Sequence, residues 1–162
     1  MLRERVYDTQ ALVNEMHNHL DYPNHTLILA PRRSGKSILL MELFKRSQNY
    51  AYVGHSLGSH IIRNHHIERD LHPHVYTANS TYIHRRYDTV LIDELFSYRD
   101  PKKTLATFLP HCRRVIVVST PSHEFDVEFP FTVNVCRILD GTERRPLYKK
   151  NHFIEQEELF TI

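Results

Sequence analysis

The stretch His25-Thr26-Leu27-Ile28-Leu29-Ala30-Pro31-Arg32-Arg33-Ser34-Gly35-Lys36-Ser37 runs from an apolar strand through a basic loop into an apolar helix reaching about Arg46. It follows G-x-x-x-x-G-K-[ST], with Ala30 where the pattern has its first glycine. A loop that enters a helix N-terminus aims backbone N–H groups at one point, and the helix dipole favours an anion there. Gly35 lets the backbone approach closely, Lys36 reaches terminal phosphates, and the Ser37 hydroxyl is placed to ligate Mg²⁺. Residues 30–37 therefore read as a phosphate-binding segment.

Outward from this segment, strands and helices alternate. Tyr50-Ala51-Tyr52-Val53 reads as a strand ended by Gly54, and His-rich residues 55–73 as a polar region holding one helix. Val75–Thr77 and Thr81–Ile83 flank Ala78-Asn79-Ser80, which suggests a short hairpin. Thr89–Ile92 is a strand ending in Asp93-Glu94, and Pro101–Leu109 a helix with proline near its start. Val115-Ile116-Val117-Val118 suits a sheet buried on both faces, and residues 131–136 read as a further short strand. Upstream, Asp8 caps a helix over 8–20 whose Leu12, Val13, Met16 and Leu20 share one face, and residues 21–24 form a turn. The pattern predicts an α/β fold, a three-layer α/β/α domain with a mainly parallel central sheet over 1–141, followed by a polar tail over 142–162.

Asp93 and Glu94 are the second chemical feature. In a parallel sheet, functional groups collect at the carboxyl ends of strands. That places Asp93 near Ser37, with Asp93 as a Mg²⁺ ligand and Glu94 polarising an attacking water. Ser119-Thr120, at the end of the next strand, is positioned to sense a terminal phosphate. The competing reading of that pair is an ordinary strand-to-turn cap.

Composition narrows the alternatives. The 162 residues are 41% hydrophobic, enough for one domain with a core and too apolar for a disordered chain. No run approaches the ~20 apolar residues of a membrane span, and Met1–Arg5 leads into no apolar signal segment, so a protein without a membrane, in a reducing intracellular compartment, is expected. Two cysteines, Cys112 and Cys136, make no disulfide framework and no CxxC pair. A net charge of +2 neither announces nor excludes a nucleic-acid partner.

Together these segments resemble P-loop ATPases with an added catalytic strand and a Glu after the Walker B Asp. Over residues 5–125 they are most similar to the ATPase domain of viral large terminases, the DNA-packaging motors. Tyr7-Asp8-Thr9-Gln10 resembles the upstream glutamine motif, Pro31–Ser37 the arginine-bearing phosphate loops, and Val117–Pro121 the coupling motif of that family. The resemblance implies ATP and Mg²⁺ as ligands. It implies that Gln10 reads adenine and that Arg32, with Arg33 as fallback, neutralises charge on the γ-phosphate. Catalysis would rest on Glu94, Lys36 and Arg32, with Ala30, Pro31, Arg33, Ser34, Gly35, Ser119 and Thr120 around the nucleotide. It further implies double-stranded DNA, a homo-oligomeric ring, a capsid or portal partner, and a host cytoplasmic, nuclear or virion-associated location. Nothing the size of the family's C-terminal nuclease domain is expected after residue 125, where Asp126, Glu128 and Asp140 are too few for its acid cluster, so the chain reads as a compact motor domain, a fragment or a relative with another task. The alternatives are a helicase-like or AAA-type remodelling ATPase, a small-molecule kinase, or a nucleotide-binding module without turnover.

Other features weigh less. His17-Asn18-His19 lies on the polar face of a helix. His60, His65, His66, His72 and His74 form a loose group without a cysteine. Arg85-Arg86, Arg113-Arg114 and Arg144-Arg145 read as solvated strand flanks or as contacts to phosphates. Phe153, Ile154, Leu159 and Phe160 would dock the tail on the domain or on a partner.

Overall fold

A computed structural model describes residues 3–6, 25–29, 36–55, 57–120, 133–139 and 157–161. The expected helix over 8–20, with Gln10, and residues 30–35 of the phosphate loop lie outside these. In chain order the elements are β1 (Arg3–Val6), β2 (His25–Leu29), α1 (Lys36–Phe44), β3 (Tyr50–Gly54), α2 (Gly58–Asn64), β4 (Val75–Thr77), β5 (Tyr87–Asp93), α3 (Pro101–Phe108), β6 (Cys112–Ser119), β7 (Val133–Leu139) and β8 (Glu157–Thr161). The strands form one sheet in the order β1-β8-β7-β2-β6-β5-β3-β4, and every neighbouring pair is parallel.

Two apolar clusters cover the two faces of the sheet. Ile28, Tyr52, Leu91, Ile116 and Val118 pack with Leu39, Leu40, Leu43 and Phe44 of α1 and Ile61 of α2. Leu27, Ala51, Val53, Val90, Ile92, Val115 and Val117 pack with Leu105 and Phe108 of α3. Successive residues of β3, β5 and β6 thus alternate between faces that are both buried, which is why these strands read as continuous apolar runs. The β2–α1–β3 crossover runs one way across the sheet and the β5–α3–β6 crossover the other, with their helices on opposite faces. Crossovers of a single hand require that arrangement. α3 begins on Asp100, whose Oδ1 accepts from the Lys103 N–H at 3.1 Å, with Pro101 at the first helical position. Gly54 lets α2 lie close to the end of β3: a Cβ there would come 2.5 Å from Ile61 Cδ1, so a side chain at 54 would make the tip of Ile61 move.

The expected hairpin does not form. Val75–Thr77 pairs with β3 in parallel, and Thr81–Ile83 is not a strand. The chain instead turns at Thr77–Ser80, where Ser80 Oγ accepts from the Thr77 N–H at 3.0 Å and the Ser80 N–H returns to the Thr77 carbonyl at 3.0 Å. Ile83 then tucks into the α3-side cluster. Residues 55–74 hold α2 and a separate 3₁₀ turn over Arg69–His74 in place of one helix. Part of the tail, read as polar, supplies β8, which lies between β7 and β1. Arg114 is no solvated flank. It is 2% exposed, donating to Thr89 Oγ1 at 2.7 Å and Tyr50 Oη at 3.5 Å. Among the described residues no helix is long and apolar enough to cross a membrane.

His25, at the start of β2, carries a pH dependence. Its Nδ1 accepts from the Val115 N–H at 3.0 Å, so the ring must be neutral at that nitrogen, and burial lowers its pKa. In the unfolded chain the ring charges near pH ~6.5, before it does so in the folded protein. Its contribution is therefore complete above that pH and is lost as pH falls below it. Urea unfolding at about pH 7.5 and pH 5.5 should show stability falling with acid, and His25→Phe should shallow that fall. An unchanged slope in the variant would remove His25 from the account.

Candidate functional site

Strand register decides where the proposed chemistry can converge. In the β2–β6 pair Ile28 lies opposite Val118 and Leu29 opposite Ser119; in the β6–β5 pair Val118 lies opposite Asp93. With β6 between them, β2 and β5 are about 10 Å apart. Their carboxyl ends therefore open onto one edge, with Ser119-Thr120 in the middle. The connection leaving β2 runs toward β3, and the one leaving β6 runs toward β7 on the other side. The crevice between β2 and β6 is thus the point at which the winding reverses, where open α/β sheets bind ligands. α1 starts at Lys36 on this same edge and packs back over β3, β5 and β6. Ser37 is half-buried in its first turn.

Asp93 is 8% exposed. Tyr52 reaches it from β3, its Oη donating to Asp93 Oδ2 at 2.7 Å. Burial, then the Asp93 charge, pushes the Tyr52 phenol far above its usual range, so it remains a donor. Tyr98 donates to the Asp93 carbonyl and, at 3.3 Å, to the Val53 carbonyl. Its own pKa is raised by burial and then by Asp93 and Glu94. Two tyrosines thus fix both the side chain and the backbone of Asp93. Reading the sequence from motif to motif missed them, although Tyr52 stands in a strand that was foreseen. Tyr52→Phe should cost about 1.5–3 kcal/mol, the worth of a hydrogen bond to a charged group. A urea midpoint shift equivalent to under about 0.5 kcal/mol would show that the bond is not maintained.

Glu94 follows in a left-handed conformation (φ 53°, ψ 46°) that costs a non-glycine residue about 1–2 kcal/mol. Such strain persists where the surroundings over-determine it, and here they do. The Glu94 N–H donates to the Val118 carbonyl at 2.7 Å, and the Ser97 N–H and Oγ–H donate to the Glu94 carbonyl at 2.9 and 2.7 Å. The carboxylate accepts at Oε1 from Thr120 Oγ1 (2.9 Å) and at Oε2 from the Thr120 N–H (3.2 Å). Ser119 Oγ accepts from the Phe96 N–H at 3.3 Å. The Asp93-Glu94 turn and the Ser119-Thr120 end are laced together.

The donors at this edge suit a hard cation shared with a phosphate. Asp93 and Ser37 could each offer an oxygen, and Mg²⁺ is usually held by one or two protein oxygens plus substrate oxygens and waters. Among the described residues no three His, Cys, Asp or Glu side chains form a metal-holding group. The histidines at 60–74 are not one: His72 Nε2 bonds the Ile67 carbonyl at 2.8 Å and His74 Nδ1 the Tyr87 hydroxyl at 2.9 Å. Gln10, Ala30, Pro31, Arg32, Arg33, Ser34 and Gly35 lie outside the described residues. No family model, curated protein or solved structure matches the chain.

Proposed function

We propose that this chain is a P-loop NTPase that binds ATP with Mg²⁺ at the carboxyl edge of its sheet and hydrolyses it, working as a nucleic-acid motor of the DNA-packaging type. The observation that carries the reading is the β2–β6–β5 register. It brings Leu29 at the end of β2, the Ser119-Thr120 pair and the Asp93-Glu94 pair to one edge, at the winding reversal, which supports this reading.

In this reading Gln10 holds adenine and residues 30–35, with Lys36, hold the phosphates. Ser37 and Asp93 are the residues that would hold Mg²⁺. The chemistry such an ion supplies when bound is neutralisation of phosphate charge as the terminal phosphoryl group departs. Arg32 and Lys36 offset the charge that develops on that group. Glu94 orients a water for in-line attack on the γ-phosphorus and takes its proton as the bond to ADP breaks. Glu94 must exchange its Thr120 contacts for that water, so arrival and loss of the γ-phosphate are felt at the end of β6. Double-stranded DNA, a ring of copies and a capsid or portal partner belong to this proposal through the family resemblance.

A second reading has one observation in its favour. Both Glu94 oxygens accept from Thr120, as in a nucleotide-binding module that holds ATP without turnover. Mg²⁺-dependent phosphate release, measured with and without duplex DNA, separates the two. The motor reading expects hydrolysis that DNA accelerates. ATP binding with no hydrolysis in either condition would establish the module instead.

A further inference from the structure

The opposite edge of the sheet, formed by the amino ends of its strands, gathers cations from three separate segments. Lys45 and Arg46 follow α1, Arg85 and Arg86 precede β5, and Arg113 opens β6. Short contacts join these segments. Arg85 Nη2 donates to Asn49 Oδ1 at 2.9 Å and Nη1 to the Gln48 carbonyl at 3.5 Å, while its guanidinium lies 4.9 Å from the centre of the Tyr87 ring. The Asp88 N–H donates to the Asn49 carbonyl at 2.9 Å, and Arg113 Nε binds Asp88 Oδ1 at 2.8 Å.

The acids nearby leave this edge positive. Burial alone would raise Asp88, but its bonds to Arg113 and Thr89 hold its carboxyl below the usual range, so it is spent on Arg113. Asp70 accepts from the Gln48 amide at 2.9 Å; with Glu68 it shares a groove of about 400 Å³ with Lys45 and Arg46 and limits the surface on that side. Lys45, Arg46 and Arg86 are exposed and form no ion pair with a described residue.

We infer that this amino edge binds the phosphate backbone of a nucleic acid through Lys45, Arg46, Arg85, Arg86 and Arg113. Four of the five are arginines, whose planar fork matches phosphate oxygens. The segments that carry them lead into β3, β5 and β6, a row of neighbouring strand starts about 10 Å from first to last. Such a row suits a polymer of regularly spaced charges better than a compact anion. Ser47, Gln48 and Asn49 interleave it with neutral polar groups, as backbone-contacting surfaces do. The inference deepens the motor reading by locating its polymer, yet its test needs no hydrolysis, so each fails separately.

The test is fluorescence-polarisation binding of the full chain to a labelled DNA duplex of about 20 base pairs, without nucleotide, over a salt series. Lys45→Glu/Arg46→Glu/Arg86→Glu should weaken binding at least about tenfold and flatten the log–log salt slope by about 2–3. Lys102→Glu/Lys103→Glu, a control on the exposed start of α3, should leave it near wild type. Unchanged thermal melting of the triple variant shows that the loss is not unfolding, because all three side chains are exposed. Should melting shift, the single Arg86→Glu variant carries the same test. No binding by the wild type, equal losses in the triple and control variants, or competition by poly-glutamate as strong as by unlabelled DNA would each overturn the inference.

Discussion

Replacing Glu94 with Gln is expected to leave ATP bound while slowing its hydrolysis by about 10²–10⁴-fold, the usual worth of a positioned general base. The size of the effect follows from what the substitution spares. Gln keeps the shape of the side chain and an oxygen that can accept from Thr120, so the left-handed turn and its bonds to Val118 and Ser97 survive. What is lost is the capacity to take a proton and one of the two oxygens that accept from Thr120, whose N–H and hydroxyl must share the one that remains. Nucleotide binding should therefore stay within a few-fold of wild type while phosphate release collapses. A variant that hydrolyses ATP at the normal rate would remove Glu94 from catalysis. A variant that fails to bind ATP would show that the carboxylate serves the turn and not the water.

The second large effect is on stability and starts from one ring. Phe44, the last residue of α1, is fully buried, and its ring lies tilted at 49° with its centre 5.8 Å from that of Tyr52. It fills the space between helix and sheet beside Leu91, Ile116 and Val118. Phe44→Ala should cost about 3–5 kcal/mol, through lost transfer energy and the cavity left behind. Against a total stability of about 5–15 kcal/mol for a domain, that is a large share. The urea midpoint should fall with little change in slope. Because Tyr52 positions the Asp93 carboxylate, Mg²⁺-dependent nucleotide binding should weaken in the variant even under conditions where it stays folded. A loss below about 1 kcal/mol would mean the site collapses around the deletion.

The central sheet was readable because β3, β5 and β6 are buried on both faces, so their apolar character is continuous and does not depend on register. The meeting of the Asp93-Glu94 turn with Ser119-Thr120 at the carboxyl edge was readable for a related reason: parallel strands put the loops that follow them on one side. What escaped the sequence was decided by partners distant along the chain. Val75–Thr77 has the composition of a hairpin arm, yet it pairs with β3 and not with its neighbour, because the Thr77–Ser80 turn closes on itself. Arg114 looked like half of a solvated pair, and only its contacts with Thr89 and Tyr50 reveal a buried guanidinium. Tyr52 and Tyr98 carry no motif, and their purpose appears only beside Asp93. The strand at 157–161 sits in a polar stretch whose composition favours no element, and it takes its form from the two strands flanking it.

That last strand also sets a timetable for biogenesis. Among the described residues Arg3–Val6 has one neighbour in the sheet, Glu158–Thr161, about 150 residues later in the chain, a separation that makes such a contact slow to form. During synthesis this segment must wait, its hydrogen-bonding groups turned to water, until residues 158–161 have left the ribosome. The centre of the sheet can assemble earlier, from β2 through β6, so the pairing of β1 with β8 at its margin comes last.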